Sequence, residues 1–266
     1  MRAKPSQKRR PRIRRAQRIV QSLVSGMAAS TLVLASGTSA LAVTPAPTPP
    51  QEHTSRPPST PTSPSRSAMP STSSTEVPLY GMQLRNDCEA AALRMVLAAR
   101  GIQIGDQAIL DQIGVDRSHY QFGRSGALSG NPFRAFVGDP NGSEKAGSGF
   151  GVYSPPVAAA AQSLGLNVLE AGQGVSISQL QSQVAQGHPA IVWIDYLWRR
   201  AATTTYTAYD GARIPYAGPA EHTVVVTGIS GNTVTVNDPA RGRVSIPLSV
   251  FTAAYATYGN MAVVVQ

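Results

Sequence analysis

The sequence predicts an α+β domain in which helices come first and an antiparallel sheet follows. Three observations support this fold class. The first half contains four segments with helical patterns, each followed by a glycine. The second half contains four runs rich in valine, isoleucine and threonine, which favour strands. With 42% hydrophobic residues, the 266-residue chain is long enough for one domain with a real core.

The elements follow one another in chain order. Glycine favours the left-handed conformation that ends many helices, so each glycine marks a predicted helix end. The predicted helices are Cys88 to Arg100, Asp106 to Ile113, Pro155 to Leu164 and Ser178 to Gln186. The predicted strands are Pro189 to Tyr196, His222 to Ile229, Thr233 to Asn237 and Met261 to Val265, with a short helix at Leu248 to Thr257.

Two of these strands should form a hairpin around Ser230, Gly231 and Asn232. A three-residue turn would pair Ile229 with Thr233 and place Asp238 opposite Val224. Asp238 would then lie on the face that carries His222, one diagonal step from the imidazole.

The N-terminal segment predicts export. Nine Lys and Arg residues precede position 19, and Ile19 to Ala42 carries no charge and ends in the small-x-small pattern Ala40-Leu41-Ala42. Residues 1–42 are therefore predicted to be a cleaved signal peptide, with an uncleaved membrane anchor as the alternative. Without those nine cations the 23 basic residues fall to 14, equal to the 14 acidic ones, so the net charge of +9 gives no support for nucleic-acid binding.

A linker is predicted between the signal and the folded domain. Val43 to Thr75 contains nine Pro, eight Ser and seven Thr, a composition that cannot form a core. We therefore assign residues 43–76 to a disordered linker and residues 77–266 to the folded domain. Within that domain, Phe122 to Tyr153 is glycine-rich without periodicity and is predicted to be a functional loop that walls a cleft.

Cys88 is the one cysteine of the chain, so an internal disulfide is excluded. It stands where a helix should begin, with Asn86 or Asp87 as the N-cap. Backbone N–H groups at a helix start favour a thiolate, and the pKa of the thiol is therefore predicted to be lowered. The alternative is that Cys88 is a small buried core residue.

Three further residues complete a predicted site. His222 can act as a base, and Asp238 can hold its ring and fix its tautomer. Gln83 can present its side-chain amide to an oxyanion, together with the backbone N–H of Cys88. The alternatives are a solvated histidine at a strand end, an Asp-Pro turn and a surface glutamine.

Metal and nucleotide sites are not predicted. None of His53, His119 and His188 is spaced with a second ligand. The glycines at 147, 149 and 151 lack the strand–turn–helix context of a dinucleotide loop, so no cofactor is expected.

Three motifs occur in order: Q-x-x-x-D-C-E-A-x-A-L from Gln83, G-N-P…F-V-G-D-P…G-x-Y-x-P-P from Gly130, and E-H-T-V-V-V-T-G followed by N-D-P. Together they resemble the papain-like cysteine peptidases related to the bacteriocin-processing, double-glycine leader peptidases. The resemblance covers residues 77–266 and implies a papain-like fold with Cys88 as nucleophile, His222 as general base and acid, Asp238 as its orienting partner and Gln83 as oxyanion stabiliser. The chain has no ATP-binding module, which argues against leader processing.

The resemblance implies a secreted or cell-surface enzyme whose substrate is a peptide or protein, with cell-wall peptide as one option. Two other functions stay open. An NlpC-type cell-wall amidase also places a cysteine at a helix start, although such enzymes usually have D-C-S-G where this chain has D-C-E-A. A non-catalytic binding domain could use the same fold.

Overall fold

A computed structural model describes residues 76–266 of the protein. The predicted signal peptide, and the predicted linker apart from Glu76, lie outside the described residues. Among residues 76–266, no helix is long and apolar enough to cross a membrane.

The described chain contains five α-helices and eleven strands. The helices are α1 (Cys88–Ala98), α2 (Asp106–Ile113), α3 (Ser154–Ser163), α4 (Ile177–Ala185) and α5 (Leu248–Tyr255), with a 3₁₀ turn at Ala256–Tyr258. The strands are β1 (Val115–Asp116), β2 (Phe136–Gly138), β3 (Gly149–Gly151), β4 (Val168–Gly172), β5 (Ala190–Asp195), β6 (Thr204–Thr207), β7 (Arg213–Tyr216), β8 (Glu221–Ser230), β9 (Thr233–Asp238), β10 (Gly242–Pro247) and β11 (Ala262–Val265).

One six-stranded sheet, in the order β10-β9-β8-β5-β11-β4, organises the domain, and its strand pairs are antiparallel. Alternate side chains enter two separate hydrophobic cores. Trp193 and Val225 belong to the core that also contains residues of α1, α2 and α3. Val224 and Val236 belong to the other, with residues of α4 and α5. β5 is therefore buried at all six positions.

The α+β fold class is confirmed, and each predicted helix is present within two residues of its predicted bounds. The first half also contains strands that were not predicted: β1, β2 and β3 form a small sheet of their own, and β4 forms an edge of the main sheet. Its half-exposed sequence VLEAG lacks the apolar alternation that identifies the central strands.

The β8–β9 hairpin reaches the predicted alignment by a different route. Its turn has two residues, because Ser230 pairs with Thr233. An irregularity between Val226 and Gly228 then shifts the register by one, so that Val225 pairs with Asn237. The next position brings Asp238 level with Val224, as predicted.

The segment from Phe122 to Tyr153 is not free of regular structure, since it contains β2 and β3. Between these strands, residues 139–148 form a closed loop, in which the N–H of Asp139 donates to the carbonyl of Ser148 at 2.9 Å. We call residues 139–148 the wall loop.

Candidate active site

Cys88 is the first residue of α1, as predicted. Helical bonding begins with the N–H of Ala91, which donates to the carbonyl of Asp87 at 2.9 Å. Asp87 is the N-cap by position, but its carboxylate accepts the N–H of Leu84 at 3.0 Å and caps no helical N–H. The Cys88 side chain is 6% exposed.

His222 and Asp238 form a buried pair at the sheet end. The Nε2 atom of His222 lies 2.8 Å from Oδ1 of Asp238. The same Oδ1 accepts the N–H of Ala240 at 2.8 Å, and Arg241 lies 3.4 Å from Oδ2. Burial by itself would raise the pKa of Asp238, but the His222 hydrogen bond and charge, with Ala240 and Arg241, outweigh it and the pKa is lowered.

Two neighbours fix the imidazole ring of His222. The ring of Tyr196 meets it edge-on, with centroids 5.0 Å apart. Arg241 stacks over the Tyr196 ring at 3.6 Å and also donates to the Tyr196 carbonyl. Since Nε2 is bonded to Asp238, Nδ1 is the nitrogen left for chemistry.

Cys88 and His222 line the same cavity, of about 250 Å³. The wall loop closes one side through Ser143, Glu144 and Lys145. A larger cavity of about 530 Å³ lies next to it and shares Glu144, Lys145 and Pro219. The two cavities are therefore adjacent, and residues of the segment predicted to wall a cleft line both of them.

Within this cavity the thiol bonds to a carboxylate. The Sγ atom of Cys88 donates to Oε2 of Glu89 at 3.4 Å, and no described hydrogen bond joins Cys88 to His222. Burial raises the pKa of the Cys88 thiol well above its ordinary value, and the charges of Glu89 and Glu221 raise it further. The prediction that the helix start lowers this pKa is therefore wrong for this resting arrangement.

Three carboxyl groups surround the thiol. Burial raises the pKa of Glu89 to about 7, although the N–H of Val152 lowers it. Burial, followed by the charge of Glu89, raises the pKa of Glu221 well above its ordinary value. Burial is also the main cause that raises the pKa of Glu144 well above its ordinary value. The Oε2 atom of Glu144 accepts the N–H of Glu221 at 3.2 Å, and its Oε1 atom has no hydrogen-bond partner among residues 76–266.

Donor atoms of Cys88, Glu89 and Glu221 lie within 4.8 Å of one another. These three groups could hold a divalent metal ion only with the thiol deprotonated, whereas in the described structure Sγ donates its proton to Glu89. No metal ligand was predicted from the sequence, and neither glutamate was assigned to the site.

Comparison with known proteins places the chain in a family. The sequence model of the Peptidase_C39 like family matches residues 74–263. The chain belongs to the Peptidase_C39 like family. The uncharacterized protein YvpB of Bacillus subtilis strain 168 is 30% identical over 196 residues, which are 69% of this chain and 70% of YvpB.

Two solved structures are similar to this chain, and the first of them agrees with the family. A crystal structure described as a C39-like peptidase from Bacillus anthracis aligns with a TM-score of 0.61 and 25% identity, over 72% of this chain and 95% of that one. A double glycine motif protease from an AMS/PCAT transporter, in complex with its leader peptide, aligns over 72% of this chain and 93% of that one, with a TM-score of 0.42 and 19% identity. The resemblance to C39-like peptidases drawn from the motifs is confirmed.

In this family member, Gln83 bonds to the start of α2. Its side-chain oxygen accepts the N–H of Asp106 at 2.9 Å, and its own N–H donates to the Asp106 carboxylate at 2.9 Å. Gln83 is not among the residues that line the Cys88 cavity. The role of Gln83 as an oxyanion donor stays a prediction. It requires the side-chain nitrogen, because only the nitrogen of the amide can donate a hydrogen bond to an oxyanion.

The two other histidines within residues 76–266 have local partners. His119 pairs with Asp116 at 2.9 Å, and His188 contacts Gln183 at 2.9 Å. Glu89 and Glu221 were not predicted as site residues, although Glu89 follows Cys88 in D-C-E-A and Glu221 precedes His222 in E-H-T. Glu144 was not predicted either, and the sequence carries no comparable signal for it.

Proposed function

We propose that this C39-like family member is an exported cysteine peptidase that hydrolyses amide bonds with a Cys88–His222–Asp238 triad. One observation carries the proposal: the buried His222–Asp238 pair shares a cavity with a cysteine at a helix start. The family match supports the reaction class.

In the proposed mechanism, the thiol turns from Glu89 toward His222 and passes its proton to Nδ1. The thiolate attacks the substrate carbonyl, and the backbone N–H of Cys88 stabilises the oxyanion. The side-chain nitrogen of Gln83 adds a second donor once the side chain turns from α2 toward the cavity. His222 then protonates the leaving amine and activates the water that hydrolyses the thioester. Asp238 stabilises the imidazolium that forms between these steps.

The cleft supports a peptide or protein substrate. The cavity beside Cys88 adjoins the larger one, whose wall includes Phe122 and Tyr216. Aromatic walls next to a polar centre suit the side chains and backbone of an extended peptide. The predicted signal and linker support action at the cell surface or outside the cell, where cell-wall peptide is one candidate substrate.

The proposal is tested by hydrolysis of fluorescein-labelled unfolded casein and of a mixed library of quenched fluorescent peptides. We expect cleavage by the purified protein and at least 100-fold less cleavage by Cys88→Ala and His222→Ala. His119→Ala is the matched control, because it removes a histidine that pairs with an aspartate outside the cavity. Full hydrolysis by Cys88→Ala would contradict the mechanism.

One observation favours a second candidate, a peptide-binding domain without catalysis. The buried thiol is bonded to Glu89 and has a raised pKa, which is an inert arrangement unless the thiol can turn. Mass spectrometry of the peptide library after incubation separates the two candidates. A binding domain would retain peptides and return them intact.

A further inference from the structure

The proton of the Cys88 thiol has two acceptors within reach of the cavity. In the described structure it is donated to Oε2 of Glu89, at 3.4 Å. His222 lines the same cavity, and its Nδ1 makes no hydrogen bond among the described residues. A nucleophile between two acceptors can be held by one and activated by the other.

The Glu89 carboxylate is held in place on both sides. Its second oxygen, Oε1, accepts the N–H of Val152 at 2.6 Å, and the residue is 1% exposed. Opposite it lies Gly151, with φ of +146°, where a Cβ would stand 2.4 Å from Oε1 of Glu89. A glycine there leaves the carboxylate room to reach the thiol.

The charges around Glu89 do not neutralise it. Asp87 precedes it as the N-cap of α1, and Cys88 adjoins it as the first residue of the helix. Glu221 and His222 face the cavity from β8, Glu144 and Lys145 face it from the wall loop, and Arg85 lines it from the segment before α1. No ion pair joins Glu89, Glu144 or Glu221 to a lysine or arginine within residues 76–266. Buried carboxylates without an ion-paired cation favour a neutral neighbour over an anionic one.

We propose that Glu89 restrains the nucleophile: it holds the Cys88 thiol protonated in the resting protein and competes with His222 for that proton. This inference rests on the proposed function of Cys88 as nucleophile. Activation breaks the S–H bond and forms an N–H bond at Nδ1 of His222, leaving a thiolate and an imidazolium with no change in total charge. Glu89 opposes that step as long as it is ionised.

The proposal is tested with Glu89→Gln in the full chain, by the rate of Cys88 alkylation with iodoacetamide in EDTA between pH 5 and 9. Glutamine keeps the side-chain shape but has no charge. The thiolate fraction changes about tenfold per unit of thiol pKa, so we expect alkylation at pH 7 to rise about tenfold or more. The gain should be smaller in Glu89→Gln with His222→Ala, because no imidazolium then stabilises the thiolate.

Glu170→Gln is the matched control. Glu170 lies on β4, away from the cavity, and contacts Gln179 and Gln183 of α4. An alkylation rate in Glu89→Gln that equals or falls below that of the wild type, with unchanged thermal unfolding, would overturn the proposal. Peptide hydrolysis by the same variants is scored separately. Loss of the alkylation effect defeats the inference, whereas absence of hydrolysis in all variants defeats the proposed function.

A second measurement covers the case in which Glu89→Gln does not fold. The carboxyl ¹³C resonance of Glu89 is titrated in the wild type and in Cys88→Ala. The S–H donor lowers the pKa of Glu89, so its removal should move the titration midpoint upward. An unchanged midpoint would show that the thiol is not the partner of Glu89 and would overturn the proposal.

Discussion

Replacing Asp238 with asparagine tests how much the His222–Asp238 hydrogen bond contributes to activity. The bond is 2.8 Å long and both side chains are at most 4% exposed, so water does not compensate for its loss. A hydrogen bond to a charged group is worth about 1.5–3 kcal/mol. Since about 1.36 kcal/mol corresponds to a tenfold change in rate, we expect kcat/KM to fall roughly 10- to 150-fold.

The assay is the initial rate of cleavage of one quenched peptide chosen from those that the wild type cleaves. The structure supplies a matched control in Asp116→Asn, because Asp116 contacts His119 at 2.9 Å in the same kind of pair outside the cavity. This variant should keep wild-type kcat/KM. Thermal unfolding of both variants separates a loss of activity from a loss of folding.

A particular result would refute this reasoning. If Asp238→Asn folds normally and cleaves the peptide at the wild-type rate, Asp238 does not orient or stabilise His222 during the reaction. An equal fall in Asp238→Asn and Asp116→Asn would show instead that the effect is not specific to the cavity.

Two further predictions concern the buried carboxyl groups. Because the pKa of Glu89 is raised from 4.5 to about 7 in the folded state, its contribution to stability is present below pH 4.5 and is lost as pH rises to about 7. Its share of the free energy of unfolding should therefore fall by roughly 1–3 kcal/mol over that range, and urea unfolding of Glu89→Gln should be less dependent on pH than that of the wild type or of Glu170→Gln. Gly151→Ala should lower the free energy of unfolding by about 2–4 kcal/mol, because a Cβ would meet Glu89 and Glu221 at 2.4 and 3.0 Å. Gly174→Ala is the control: its φ is also positive but its surroundings are open, so it should lower the free energy of unfolding by about 1–2 kcal/mol. Equal losses in urea unfolding would contradict the proposed contact.

The sequence predicts the frame of the site because local signals determine it. The helix start at Cys88 follows from a polar turn before an apolar helical run. The hairpin alignment of His222 and Asp238 was predicted with the wrong turn length, and the irregularity near Thr227 restored the register. A β-bulge of this kind has no signal in the alternation of side chains.

The charge environment of Cys88 could not be predicted from the sequence. It depends on Glu89, which is next to Cys88 in the sequence, and on Glu221 in β8 and Glu144 in the wall loop, which reach the thiol only through long-range packing. The local helix start argues for a lowered thiol pKa, but burial and these carboxylates reverse it. Single-residue reasoning about Cys88 therefore gave the wrong sign.

The most direct test of the central claim is to trap the acyl-enzyme. The protein is mixed with a cleaved peptide, quenched in acid within milliseconds to seconds, digested and examined by mass spectrometry. The account predicts that the acyl part of the substrate is attached to Cys88 as a thioester, and that it accumulates in no Cys88→Ala sample. Continued cleavage by Cys88→Ala, or an acyl group on another residue, would contradict it.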